Sequence, residues 1–182
     1  MNLIETFQNL VAQVPELVQP LIVALAGAIP FIEGEGAVSI GIIGGISPVI
    51  AAIAAIVGNF LCVLVVVIVS SGARQAVVNR SRAKTAALAG AGGGTIDEPA
   101  ADAADTGRGT ARREKFQRAF ERYGVPGVSL LGPLLLPTQF TATMLAASGI
   151  GRARILLWQA LAIIGWTTVV AVIVGSAVYA IR

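Results

Sequence analysis

The sequence predicts an all-α integral membrane protein. It reads as two inverted repeats, each a re-entrant helical hairpin followed by one transmembrane helix, with amphipathic interfacial helices alongside. Three observations predict this. Of 182 residues, 55% are hydrophobic and 13% charged, the balance of an integral membrane protein. Two apolar runs, 49–69 and 155–181, reach the roughly 20 residues that a spanning helix needs. Two further uncharged or nearly uncharged stretches are too short to cross twice, and prolines break each near its middle.

Residues 1–14 carry Leu3, Phe7, Leu10 and Val14 at helical spacing, with Glu5, Gln8, Asn9 and Gln13 on the other face. This predicts a short amphipathic helix, on the membrane surface or on the protein's own outer face, stopped by Pro15. Residues 17–46 form the first hairpin. Pro30 bends the chain, and Gly34 and Gly36 permit a reversal around Glu33 and Glu35. An arm of 13 residues is about 20 Å long, which passes the midplane of a core about 30 Å thick. The first span follows over 49–70, with Gly58-Asn59 near its middle.

Residues 74–109 change character. Arg74, Arg80, Arg82 and Lys84 come first, then a Gly/Ala-rich, acidic stretch that cannot build a core, so a disordered linker is expected. Ten of the thirteen Lys/Arg lie between Arg74 and Arg122, and none precedes Arg74. By the positive-inside rule the linker is expected in the cytoplasm, and the membrane expected is the plasma (inner) membrane. That asymmetry is a topology signal rather than a nucleic-acid footprint. Residues 110–123 predict a basic amphipathic helix with Phe116, Phe120 and Tyr123 on one stripe. Residues 124–150 form the second hairpin, broken at Pro133 and Pro137, and 155–181 the second span. The organisation is therefore a first repeat over 1–73, a linker over 74–109 and a second repeat over 110–182. A shift of 107 residues places Pro30 on Pro137, Gly44 on Gly151 and Gly58 on Gly165. With the linker inside, the two units have opposite orientation, and inverted repeats with broken helices meeting at the midplane are a transporter design.

Ile29-Pro30-Phe31-Ile32-Glu33, the Gly-rich residues after it and Gly58-Asn59 resemble the small multidrug export protein family. Tyr123-Gly124-Val125-Pro126-Gly127, Leu136-Pro137-Thr138 and Ala146 to Gly149 look like that family's second conserved region. The family is distantly similar to the DedA/VTT group, so the resemblance implies paired re-entrant hairpins and a link to lipid translocation and proton-dependent transport. It matches Glu33 to the family's acidic residue. The sequence departs from the pattern where Leu-Arg usually follows that acid, having Gly34 and Glu35, and where Pro-Gly-Thr-Gly is usual, having Pro137-Thr138-Gln139-Phe140.

The candidate transport site comprises Glu33 and Glu35 with Pro30 and Asn59. Two carboxylates two residues apart and partly removed from water do not both ionise easily, which suits a proton carrier. The other reading of Glu33-Gly34-Glu35 is an exposed loop between short tilted helices. Asn59 lines a pathway or makes an interhelical hydrogen bond. Pro137, Thr138, Gln139, Thr141 and Thr143 come from the opposed hairpin, whose amide end offers a place for an anionic head group. Arg152 and Arg154 set topology or touch lipid phosphate.

The chain contains no histidine, and there is no nucleophile–base pair, metal cluster or nucleotide loop. An enzyme is therefore not expected, and neither is a metal or other cofactor. The function expected is a small secondary transporter, proton-coupled, for an amphipathic or lipidic substrate. The alternatives are a translocase for a polyprenyl phosphate or phospholipid, and a non-transporting membrane assembly partner. The expected partners are lipids, protons, the substrate and a second copy paired through Gly41 and Gly45; nucleic acid is not expected.

Overall fold

The computed structural model describes residues 6, 9, 13–89, 124–134 and 136–181, and these are helical with turns and no strands. Six helices are described: α1 (Gln19–Gly27), α2 (Glu33–Ile43), α3 (Pro48–Ala89), α4 (described over 124–131), α5 (Thr138–Ala147) and α6 (Arg152–Ile181). A 3-10 turn, Gly132–Leu134, follows α4. The order of two short helices and one long one thus occurs twice. The expected interfacial helix over 110–123 and the linker beyond Ala89 lie outside the described residues. So does the expected helix over 1–14, apart from residues 6, 9, 13 and 14, of which Thr6, Asn9 and Gln13 are helical.

Among the described residues, α3 and α6 are the two helices long and apolar enough to cross a membrane. α3 runs well past the expected end of its span. Arg74, Arg80 and Arg82 lie on the same continuous helix, which continues to Ala89, so residues 74–89 are not the disordered linker expected of them. No proline or glycine stands between Gly72 and Ala89, and alanines and arginines favour continuation. α1 and α2 are each too short to cross, since 9 and 11 residues give about 14 and 17 Å of helix.

The long helices pack antiparallel: Pro48 at the start of α3 lies against Gly175 near the end of α6. Each contributes a stripe of buried residues spaced by four. On α3 these are Ala51, Ala55, Asn59, Val63 and Val67; on α6 they are Ile155, Gln159, Ile163, Thr167 and Ala171. Residues four apart share a helix face, so these stripes are the seam. The opposite faces carry exposed apolar side chains, among them Val49, Ile53, Val57, Leu61 and Val65 on α3, and Leu157, Leu161, Ile164 and Val172 on α6. An apolar outer face of this kind marks a surface that meets a membrane or another protein.

Two apolar clusters divide the interior. One joins Val23 and Ala26 of α1 to Val38 and Ile42 of α2, Ala55 of α3 and Ala171 of α6; the other joins Val63 and Val67 to Leu145 of α5 and Ile155 and Ile163 of α6. α1 approaches α3 without intervening side chains. A Cβ on Gly58 would sit 1.8 Å from the Ala24 carbonyl oxygen, and one on Gly27 would sit 2.8 Å from that of Ala55.

Both half-length helices α2 and α5 end in the same cap. Gly45 (φ 94°) and Gly149 (φ 82°) take the left-handed conformation. Ile46 N–H reaches back to the Gly41 carbonyl at 3.0 Å, and Ile150 N–H to that of Leu145 at 3.4 Å, the Schellman arrangement. These caps stand 104 residues apart, not the 107 of the sequence alignment. The pairing of Gly58 with Gly165 is correspondingly not a shared role: Gly58 is pressed against α1, while Gly165 faces open space. Gly41 packs inward against Ala51 and Val23, so it is not free to form the intersubunit face expected of Gly41 and Gly45.

Candidate functional site

Pro30 ends the first short helix region, and the chain then turns back sharply. Phe31 (φ 73°) and Glu33 (φ 53°) both lie in the left-handed region. Such a conformation costs a non-glycine residue of order 1–3 kcal/mol. It starts α2 with Glu33 facing inward, and the side chain is buried. The strain is repaid by what that carboxylate meets.

Glu33 Oε1 accepts from the backbone N–H of Thr138 and, at 2.8 Å, from the Thr138 hydroxyl. Thr138 is the first residue of α5, and the N-cap residue Pro137 provides no side-chain bond of its own. The four leading N–H groups of a helix lack partners within it, and a carboxylate there also meets the positive end of the helix dipole. Glu33 therefore caps α5 from the other helix pair, across 105 residues of sequence.

The capped end belongs to a buried polar layer between the two apolar clusters. Gln139 Nε2 donates to Asn59 Oδ1 at 3.2 Å. The Thr138 hydroxyl also lies 3.3 Å from Asn59 Oδ1 and 3.4 Å from Gln139 Oε1. It has one proton, and its shortest contact is to Glu33. Gly34 makes room for Thr167: a Cβ there would lie 2.1 Å from Thr167 Oγ1 and 3.6 Å from Asn59 Nδ2. Both of those buried atoms lack a hydrogen-bond partner among the described residues. Outside the layer, the Phe31 and Phe140 rings stack at a tilt with centroids 6.1 Å apart, joining the same two turns on the exposed side.

Glu33, Asn59, Thr138 and Gln139 are thus brought together. Glu35 is only partly buried and does not share the Thr138 contact. Pro30 is exposed at the turn. Thr141 and Thr143 bond back to the Pro137 and Gln139 carbonyls of their own helix. The amide end expected to receive an anionic head group is held by Glu33 itself. Arg154 is exposed, and Arg152 borders a separate pocket near Arg74. The reading of Glu33-Gly34-Glu35 as an exposed loop fails for Glu33, which is buried at a helix start.

No family model, curated protein or solved structure matches this chain. The chemistry is accordingly read from the geometry alone. One carboxylate, with no arginine or lysine acting on it among the described residues, joins the start of α2 to the start of α5 through the Thr138 N–H and hydroxyl.

Two buried residues escape a reading based on breakers and charges, Thr167 and Gln159. Their signal is positional: both fall on the four-residue stripe of the second span. Gln159 is fully buried, and neither side-chain polar atom has a partner among the described residues. Burying an unpaired amide costs roughly 1–3 kcal/mol. Gln159→Leu is therefore expected to raise the thermal midpoint of the detergent-solubilised protein. A midpoint lowered by several degrees would show that the amide is satisfied in the folded protein.

Proposed function

We propose that this chain is a small secondary transporter of the plasma membrane, in which Glu33 takes up and releases the coupling proton. The observation that carries the reading is the Glu33 carboxylate capping α5 inside the seam of α3 and α6. Under this reading α1–α2 and α4–α5 are re-entrant hairpins, and the two halves are inverted repeats. The antiparallel packing of α3 and α6 supports that inversion, and the exposed apolar faces of both helices support the membrane. Broken helices at membrane depth are tolerated where they are buried in protein or line a cavity, and intramembrane carboxylates mark proton or substrate pathways.

The ionised carboxylate holds the α5 amide end by charge as well as hydrogen bonds. Protonation removes the charge–dipole attraction and leaves a neutral hydrogen-bond pair. The Thr138 hydroxyl is then free to turn to Asn59 Oδ1, and the two hairpin tips loosen. An amphipathic or lipidic substrate entering between them completes an exchange cycle. The family resemblance on Pro30 to Glu33 and on Pro137-Thr138 fits this reading.

A proteoliposome assay tests it. Vesicles hold a pH-sensitive dye under an imposed pH gradient, and receive a lipophilic cation or a short-chain polyprenyl phosphate. Substrate-triggered proton movement is expected in the wild type and is expected to fall to the protein-free level in Glu33→Gln. Equal proton movement in both proteins would remove Glu33 from the coupling role. Movement of the polyprenyl phosphate without protons would favour an uncoupled lipid translocase.

A further inference from the structure

At the other end of α5 lies a cavity of about 200 Å³ lined by Ser71, Arg74, Gln75, Ala146, Gly149, Ile150, Gly151 and Arg152. A water occupies about 30 Å³ of liquid, so the cavity holds a group of several heavy atoms. Two of its walls are cationic. Arg74 is oriented by its Nε, which donates to the Ala147 carbonyl at 3.0 Å and so caps the C-terminus of α5. Its two remaining nitrogens lie over Gly149, where a Cβ would come within 2.6 Å of Nη2 and 3.1 Å of Nη1. A side chain at 149 would displace them.

The opposite wall is the first turn of α6. Arg154 N–H and Ile155 N–H both return to the Gly151 carbonyl, so the N–H groups of Arg152 and Ala153 precede any possible intrahelical acceptor. Ser71 and Gln75, one turn apart on α3, complete the lining. The described acidic residues are Glu16, Glu33 and Glu35, and none of these lines the cavity. Two guanidiniums and a helix N-terminus are together a donor set for a tetrahedral oxyanion.

We propose that this pocket binds a phosphate group. The site is separate from Glu33, at the far end of α5, and does not depend on Glu33 carrying a proton. Arg74 lies just beyond the apolar run of α3, and Arg152 at the start of α6. A spanning arrangement puts both at headgroup level, where a phospholipid monoester and free phosphate offer the same chemistry.

The test is a titration of the full-length protein in neutral detergent. Its three probes are dioctanoyl phosphatidic acid, inorganic phosphate and dioctanoylglycerol, which lacks phosphate. Saturable binding of the first alone identifies a lipid headgroup; equal binding of inorganic phosphate identifies the free ion. Arg152→Gln is expected to weaken whichever binds by about tenfold or more, since a charge-assisted bidentate contact is lost. Arg154→Gln, whose side chain does not line the cavity, is expected to leave it unchanged. Because Arg74 also caps α5, Arg74→Lys is compared with Arg74→Gln at matched thermal stability. The proposal is overturned if neither phosphate probe binds or if dioctanoylglycerol binds equally well. It is also overturned if Arg154→Gln weakens binding as much as Arg152→Gln.

Discussion

Glu33→Ala is expected to destabilise the folded protein by roughly 2–4 kcal/mol, because charge-assisted hydrogen bonds are worth about 1.5–3 kcal/mol and unpaired buried donors add a further cost. The truncation strands the Thr138 N–H and leaves its hydroxyl with only the longer contacts to Asn59 and Gln139. It also empties the space against which the α5 terminus rests. Glu33→Gln keeps an oxygen acceptor of the same reach and is expected to lose less than half as much. Thermal unfolding in detergent checks both. A double-mutant cycle with Thr138→Val isolates the contact, and a coupling energy of about 1 kcal/mol or more is expected for directly touching groups. Additive losses would mean that the two side chains do not act as a unit.

Gly58→Ala is expected to be about as damaging, although it adds a single methyl group to a helix. The new Cβ would lie 1.8 Å from the Ala24 oxygen, 2.5 Å from its carbonyl carbon and 2.7 Å from its Cα. All three are backbone atoms, so no side-chain rotation relieves the clash; α1 must move off α3. Overpacking of this kind costs about 1–3 kcal/mol and more where the backbone cannot yield. Gly72→Ala is the matched control. It lies on the same helix with nothing within 4 Å of the added atom, and removing a helical glycine contributes roughly 0.5–1 kcal/mol of stability. Opposite shifts in the thermal midpoint are expected. Similar shifts in the two variants would show that α1 does not pack against Gly58.

How much of this was legible from the residues follows from what each signal encodes. Long apolar runs identified both helices long and apolar enough to cross a membrane, because burial in either lipid or protein demands the same composition. The prolines at 30 and 137 located the turns, and each stands shortly before the half-length helix that follows. Glu33, Asn59, Thr138 and Gln139 were recognisable as polar groups in an apolar setting. Their pairing was not, because it depends on Phe31 and Glu33 adopting backbone angles that their residue types disfavour. The end of α3 was misjudged for a related reason: charge marks where a helix leaves an apolar environment, not where it stops. The 107-residue offset of the shared prolines and glycines does not carry over to the helix ends, because the matching caps at Gly45 and Gly149 stand 104 residues apart. Thr167 and Gln159 stayed hidden because a lone polar residue in a span says nothing about which face it occupies until the seam is known.

The most direct test of a working junction between the hairpin tips uses the Phe31–Phe140 contact. The chain has one cysteine, Cys62, so Phe31→Cys with Phe140→Cys in a Cys62→Ser background places a single reactive pair across the junction. In proteoliposomes, a short reducible bis-methanethiosulfonate reagent is expected to bridge the pair, to stop substrate-triggered proton movement and to release it again on reduction. Failure of the pair to cross-link would contradict the junction. Full activity in the cross-linked protein would contradict its movement during transport.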